Sequence, residues 1–386
     1  INSLNTHLKP LKSFDFNSSS GDIESFIDQV GNVNIYALGE ATHGTREFFL
    51  AKNRLIRYLI TTKKINTIII EGDFSGAISV DDYISKGEGN AKDAVRKLNI
   101  VFWQNQDFVD LVEWIKSYNE ALDTREKVKF FGCDIKPKKI LKDIIEGKVK
   151  FREKLSLECL KGLSLFSNYS ILSKQKKIEL NLAINELKIA NLDESDHEKS
   201  ELYKRSIKTI FQAISYFENK NGLRDKYMAE NIKWILDTLT SEKKAVIWAH
   251  NLHISKTSAY EKIKPMGYFL KQHYKEFYYA LGFAFHSGYI SAINLSDNTI
   301  DKFYIPPTKY NKKSFENTLT ECYTPNFFLD FNKASENILT YSFLVKNSVT
   351  RNIGSHYLHK GTNKINLVKP IFSIYDGIFF VKKSTE

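Results

Sequence analysis

Four runs of strand-forming residues, far apart in the chain, each stop at an acid or a histidine. Residues 34–38 lead into Gly39-Glu40-Ala41-Thr42-His43-Gly44, and residues 67–70 into Glu71-Gly72-Asp73. Residues 128–132 lead into Cys133-Asp134, and residues 245–248 into Ala249-His250-Asn251-Leu252-His253. An open α/β sheet binds its ligands just beyond the carboxyl ends of its parallel strands. In one such sheet the four runs bring Glu40, His43, Glu71, Asp134, His250 and His253 to a common site. A convergence of acids and imidazoles of that kind marks an enzyme.

The residues between these runs fit the same sheet. Thr45 is placed to cap a helix with Glu47 in its first turn. Phe48, Leu55 and Leu59, with Phe49, Ile56 and Ile60, then form a broad apolar face at helical spacing. A second amphipathic helix starts at about Asp107 and carries Phe108, Leu111, Ile115 and Tyr118 on one side. Strand, helix and strand joined by short links read as a parallel sheet with helical crossovers. From 137 to 240 helical periodicity takes over, as in Tyr203, Ile207, Ile210, Ile214 and Phe217, with a polar turn expected over 192–200. Beyond the run at 245, a helix is expected over about 262–274, then paired strands over 277–285 and 289–295 around Ser287-Gly288, with apolar runs at 372–374 and 378–381 closing the chain. The expected fold is therefore α/β, with a largely parallel central sheet flanked by helices, a helical insertion and additional C-terminal strands. Residues 1–136 and 241–386 form the catalytic core in this reading, and residues 137–240 the insertion.

Composition narrows the classes of function. Hydrophobic residues at 42% and charged residues at 26% are those of a globular protein with a substantial core. No apolar run reaches the length of a membrane span, and Ile1-Asn2-Ser3-Leu4 lacks the basic-then-apolar pattern of a signal segment. A removed tag or leader would account for the missing initiator Met; the cytoplasm is the expected location. Cys133, Cys159 and Cys322 are too few and too widely spaced for a disulfide framework or a cysteine zinc site, and are expected as reduced thiols. The formal charge of +11 is spread among interspersed acids, as in Glu198-Lys199-Ser200-Glu201, so no nucleic-acid or membrane partner is expected and the oligomeric state is left open. Neither a Gly-x-Ser-x-Gly elbow nor a Walker or dinucleotide-binding glycine loop is present.

What remains is acid–base chemistry. Gly39 and Gly44 give the loop of Glu40 and His43 the backbone freedom and close approach that a tight strand-to-helix turn needs, and the helix that follows favours developing negative charge at its start. Glu71 follows Ile68-Ile69-Ile70, a run that reads as buried on both faces. An acid there needs a partner, and His43 is the expected one. His250 and His253, three apart, fall on one face of a helical turn. With nearby carboxylates they can hold Zn²⁺ or a similar ion, or they can donate hydrogen bonds to an oxyanion. Asp134 reads as support, and Trp103 in Phe102-Trp103-Gln104-Asn105 as a core residue or a pocket wall. His and Glu arranged in this way suit hydrolysis by activated water, with or without a metal.

Residues 38–49, Leu-Gly-Glu-Ala-Thr-His-Gly-Thr-Arg-Glu-Phe-Phe, strongly resemble the opening motif of the erythromycin esterases. The resemblance continues through Glu71-Gly72-Asp73, Phe131-Gly132-Cys133-Asp134, Arg224-Asp225-Lys226-Tyr227-Met228-Ala229 and Trp248-Ala249-His250-Asn251-Leu252-His253. It extends to Met266-Gly267, Leu281-Gly282-Phe283-Ala284-Phe285 and Tyr375-Asp376-Gly377-Ile378-Phe379, so it spans essentially the whole chain in order. It implies an α/β core with a helical insertion and a deep cleft, and hydrolysis of the macrolactone ester of erythromycin-type macrolides without a cofactor, conferring macrolide resistance. By motif position His43 resembles the general base that activates water, Glu40 and Glu71 its acidic partners, and His250 and His253 the downstream pair. Macrolide esterases carry an arginine on the first helix where this chain has Lys52, which keeps the charge but loses a bidentate fork. Lys52, Trp103 and Asp134 are the expected substrate contacts. The rival readings are a metal-dependent hydrolase of another ester or amide, and a non-catalytic biosynthetic accessory protein.

Overall fold

The computed structural model describes residues 1–193, 197–219, 222–258, 263–307, 314–357 and 366–385. Its strands in chain order are β1 (Lys9–Pro10), β2 (Ile35–Leu38), β3 (Thr67–Asp73), β4 (Lys129–Asp134), β5 (Ala245–Trp248) and β6 (Tyr278–Asn294). These are followed by β7 (Ile300–Ile305), β8 (Asn326–Asp330), β9 (Asn347–Arg351), β10 (His356–Tyr357), β11 (Asn366–Pro370) and β12 (Gly377–Ser384). Ten of them form one sheet of order β1-β8-β12-β6-β2-β5-β3-β4, with β7 and β10 also paired to β6. The run β12-β6-β2-β5-β3-β4 is parallel throughout, while β1, β8 and β7 pair antiparallel. The sheet is thus mixed and mostly parallel, flanked by helices, and the C-terminal strands widen it.

The four runs do lie side by side. The chain passes from β2 outward to β3 and β4, then returns through helices to insert β5 between β2 and β3, and finally places β6 on the far side of β2. A reversal of strand order of this kind opens a crevice at the carboxyl ends of the strands. Strands buried on both faces must be apolar on both, and every residue of β2, β3 and β5 is buried. One face carries Tyr36, Leu38, Ile68 and Ile70 into a cluster with Phe48, Leu55, Leu59 and Phe108; the other carries Ile35, Ala37, Ile69 and Ile247 against Phe74, Met228 and Ile232. Fully burying a side chain such as Leu55 or Ile232 is worth about 1.5–3 kcal/mol. The expected helices occur as Arg46–Thr61 and Gln106–Glu120.

Between β4 and β5 the chain is helical. Lys138–Ile145, Leu157–Ser164, Lys174–Ile189 and His197–Asn219 pack on one another through Ile140, Leu163, Leu180, Ile184 and Ile210. Leu223–Thr238 instead lies on the sheet, where Asn231 Nδ2 donates to the carbonyl oxygen of Cys133 at 3.0 Å. Residues 194–196 of the expected polar turn, and Lys262 at the expected start of the next helix, fall outside the described residues; that helix is described from Met266 to Tyr274.

One expectation fails. Residues 277–285 and 289–295 are not two paired strands but the single long β6. At Gly288 (φ +125°) this strand leaves its partner β12 and continues with the antiparallel β7. A Cβ on Gly288 would stand 2.1 Å from the carbonyl oxygen of Ser384. The glycine therefore permits a close crossing of strands, a need that in sequence looks the same as a hairpin turn. Of the two apolar runs that close the chain, 372–374 lies in the short helix Ile371–Ile374 and 378–381 lies in β12. Among the described residues no helix is long and apolar enough to cross a membrane.

Candidate active site

Each strand end delivers a different geometry. Glu40 stands just past β2, held where the backbone N–H of Asn251 donates to its carbonyl oxygen at 3.0 Å. Gly39 and Gly44 are needed here for close approach and not for unusual backbone angles, since neither has a positive φ. A Cβ would meet Asn251 Oδ1 at 2.1 Å at the first and the Ser291 carbonyl oxygen at 2.0 Å at the second. Asn251 accepts from Phe283 N–H at 3.0 Å and donates to Phe283 O at 2.8 Å, locking the loop after β5 to β6. Glu71 sits where the register between β3 and β4 slips, since Ile70 pairs with Gly132 but Asp73 with Asp134. Such a bulge re-aims a side chain and is common beside active sites. His250 caps the one-turn helix Asn251–Ile254.

A buried relay runs through Glu40. Lys52 Nζ donates to Glu40 Oε2 at 2.7 Å, Trp248 Nε1 donates to the same oxygen at 2.7 Å, and His43 Nδ1 lies 2.5 Å from Glu40 Oε1. Burial works to raise the Glu40 pKa, but Lys52 and His43 outweigh it and hold the carboxyl at about 2. Burial in turn pushes Lys52 down to about 8, against the pull of Glu40. An ionised Glu40 accepts the proton on Nδ1, which leaves the lone pair of a neutral His43 on Nε2. His43 is 9% exposed, lines the main cleft, and has the Phe102 ring stacked on it at 5.9 Å between centroids.

A second cluster surrounds Arg224. Its guanidinium forks onto Asp134, with Nε and Nη2 donating to Oδ1 and Oδ2 at 2.8 Å each, and Nη2 also reaches Glu71 Oε1 at 2.9 Å. Glu71 Oε2 accepts from the backbone N–H of His250 at 2.9 Å. His253 lies between Asp225 (Nδ1 to Oδ1, 2.7 Å) and Glu71 (Nε2 to Oε1, 3.3 Å). Burial alone would lower the His253 pKa, but the two carboxylates raise it to about 10. The Arg224 Nη1 to His253 Nε2 approach at 3.2 Å therefore brings two cations together, and Glu71, Asp134 and Asp225 outnumber them.

His250 behaves oppositely. Burial and then the neighbouring His43, 5.2 Å away between ring centroids, depress it to about 3, so the ring is neutral. Its Nδ1 accepts from Leu252 N–H at 3.3 Å, which puts the proton on Nε2. That Nε2 is buried and has no partner among the described residues. The two histidines share one turn but not one charge state.

The split has a measurable consequence. The folded pKa of His253 stands above the ordinary 6.5, so its ion pairs stabilise fully below pH 6.5 and lose that effect as pH rises toward about 10. The stability gap between wild type and His253→Gln, measured by urea unfolding, is expected to be largest near pH 6 and to shrink by a few kcal/mol across this interval. A constant gap would show that folding leaves the His253 pKa unshifted, and a gap that widened with pH would show that the folded ring is held neutral.

The cleft above these groups has a volume of about 860 Å³ and is lined by His43, Glu71, Arg224, His250, His253 and Phe102 among others. Glu40, His43, Glu71, His250 and His253 are thus brought together. The three expected substrate contacts are not in its lining, and each has a physical reason. Lys52 is 0% exposed, capped by the Trp248 and Phe283 rings and spent on Glu40. Asp134 is 0% exposed and occupied by Arg224. Trp103 is 1% exposed and packs on Phe108 and Trp248, while its neighbour Phe102 faces the cleft. Glu71 is paired with Arg224 and His253 instead of accepting from His43, whose acid is Glu40.

Sequence reasoning missed Arg224 and Asp225 as site residues. One signal was available, because an arginine in the first turn of a helix opposes the helix dipole and implies a carboxylate partner. It also missed residues 352–356, a segment without helix or strand periodicity that crosses the cleft and carries nothing to mark it.

A model of the erythromycin esterase family matches residues 60–384. Erythromycin esterase type II of Escherichia coli is 25% identical over 402 residues, spanning 92% of this chain and 91% of that protein. Among solved structures, a succinoglycan biosynthesis protein aligns with a TM-score of 0.82 at 22% identity, covering 100% of this chain and 96% of that one. An erythromycin esterase mutant in its open conformation aligns with a TM-score of 0.65 at 16% identity, covering 95% and 94%. The chain belongs to the erythromycin esterase family.

Proposed function

We propose that this member of the erythromycin esterase family hydrolyses a carboxylic ester, the macrolactone of an erythromycin-type macrolide, with water activated by His43. The observation that carries this reading is the buried Lys52–Glu40–His43 relay, which orients the His43 ring and leaves its Nε2 for the cleft. His43 Nε2 takes a proton from water as the oxygen attacks the lactone carbonyl, and the ionised Glu40 stabilises the imidazolium that forms. The Nε2–H of His250 and the Arg224 guanidinium stabilise the tetrahedral oxyanion. As the acyl–oxygen bond breaks, the imidazolium returns its proton to the departing alkoxide. The product is the ring-opened hydroxy acid, heavier by one water, and macrolide resistance follows from loss of the ring. A cleft of about 860 Å³ is within the range for a ligand of drug size.

The three cysteines, all free and buried, accord with a cytoplasmic location as the proposed one. Among the described residues no group of three or more His, Cys, Asp or Glu is arranged to hold a metal ion, and His43 Nδ1 and both nitrogens of His253 are engaged by carboxylates. Hydrolysis is therefore expected to survive exhaustive chelation with less than about a twofold change in kcat/KM. Loss of activity on chelation with recovery on adding Zn²⁺ would favour the metal-dependent reading. A second substrate reading draws on the cleft's lining, where Arg96, Lys136 and Arg224 outnumber the acid Glu71, although each also pairs with a carboxylate outside that lining, Asp93 or Asp134; it is an ester that bears a negative charge. Incubation with erythromycin-type macrolides and with neutral and anionic simple esters, read by mass spectrometry for gain of one water, separates the two.

A further inference from the structure

The cleft holds polar atoms that the His43 chemistry does not use. Asn352 lines it and is 4% exposed, and neither its side-chain oxygen nor its amide nitrogen has a hydrogen-bond partner among the described residues. A buried polar group left unpaired costs about 1–3 kcal/mol, a cost that leucine, of similar size, would avoid. The backbone that presents this amide is fixed on both sides. Arg351 N–H donates to Glu316 Oε1 at 2.7 Å. Ile353 N–H and Gly354 N–H donate to the Ala41 carbonyl oxygen at 2.8 and 3.1 Å, and His43 N–H donates to the Gly354 carbonyl oxygen at 3.3 Å. Asn352 is thereby tied to the loop that carries Glu40 and His43. The unpartnered Nε2–H of His250, the oxyanion donor proposed above, lies close to the same segment, since a Cβ on Gly354 would stand 3.8 Å from it.

An ester offers only hydrogen-bond acceptors. The donor that satisfies Asn352 Oδ1 has to come from a substituent, and a hydroxyl is the smallest neutral group that serves both Oδ1 and Nδ2. We infer that Asn352 anchors the substrate by a hydroxyl carried near the scissile carbonyl, so that the cleft takes hydroxylated esters and discriminates against their deoxy analogues. A polyhydroxylated macrolactone satisfies this requirement and a plain alkyl ester does not. The word "ester" rests on the hydrolytic reading above, whereas the anchor itself is read by binding alone. A site built around a substrate hydroxyl rejects the analogue that lacks it, because its own polar groups are then left unpaired.

The test is calorimetric binding to His43→Ala protein, which leaves the ligand intact, of erythromycin and of analogues that each lack one ring hydroxyl. At least one deoxy analogue is expected to bind about tenfold or more weakly than the parent, the effect of one lost hydrogen bond in a buried site. Adding Asn352→Leu is expected to remove that difference by weakening the parent only. Asn352→Ser, which introduces no apolar bulk, is expected to do the same and covers a failure of the leucine variant to fold. Equal binding of parent and every analogue, discrimination that survives both substitutions, or no binding of any of them overturns the inference. Turnover by wild type is read separately. Asn352-dependent binding without ring opening keeps the anchor and sinks the esterase reading; ring opening indifferent to Asn352 does the reverse.

Discussion

Lys52→Met is expected to destabilise the protein by about 3–5 kcal/mol, because it strips the countercharge from a buried carboxylate. Methionine matches the length and apolar stem of lysine, so packing against Trp248 and Phe283 is largely kept and the loss reports the charge. Glu40 would retain His43 and Trp248 as partners but no fixed cation at 2.7 Å. Its carboxyl would then rise from about 2 toward protonation, which also spoils the acceptor that orients His43. The double variant Lys52→Met/Glu40→Gln removes both charges and is expected to regain most of the lost stability, since replacing a whole buried pair is far cheaper than breaking one. Urea unfolding of the four proteins in this cycle measures the coupling directly. A Lys52→Met variant as stable as wild type would show that Lys52 is not the partner that keeps Glu40 ionised.

His43→Ala is the second large effect. Removing a positioned general base typically costs about 10²–10⁴-fold in rate, and here the loss is expected in kcat with KM nearly unchanged. The ring lines the cleft and, among the described residues, makes one side-chain hydrogen bond, to Glu40, so the fold should tolerate its loss far better than the loss of Lys52. Glu40→Gln is expected to be intermediate, because the amide still fills the site but neither fixes the tautomer nor supports an imidazolium. A His43→Ala protein that retained more than about a tenth of wild-type kcat would remove the base from the account.

Much of this is legible in the sequence alone, for a physical reason. A strand buried on both faces is an uninterrupted apolar run, so an acid that ends one is conspicuous, and Glu40, Glu71 and Asp134 were found in that way. Their partners were not legible, because pairing is a tertiary matter. Arg224 is 153 residues from Glu71 and 90 from Asp134, and no local pattern links them. The slip in register at Glu71 that turns it toward Arg224 is equally silent in sequence. Lys52 illustrates a different limit. A lysine on an amphipathic helix reads as surface or as ligand contact, yet tertiary packing put it at 0% exposure under two aromatic rings. Gly288 and the pair Phe102-Trp103 failed for the reason that one residue type serves two needs. Glycine marks a turn or a close crossing, and either of two adjacent aromatics can face the core.

The account rests on water, activated by His43 Nε2, attacking the acyl carbon of an ester. Ring opening of an erythromycin-type macrolide in ¹⁸O-labelled water, followed by mass spectrometry of the product, tests this most directly. The account predicts one labelled oxygen, located in the new carboxylate, for wild-type protein, and none above background for His43→Ala over the same time. Product labelled equally by both proteins, label in the alcohol instead of the acid, or no opening of any macrolide or simple ester by folded wild-type protein would contradict it.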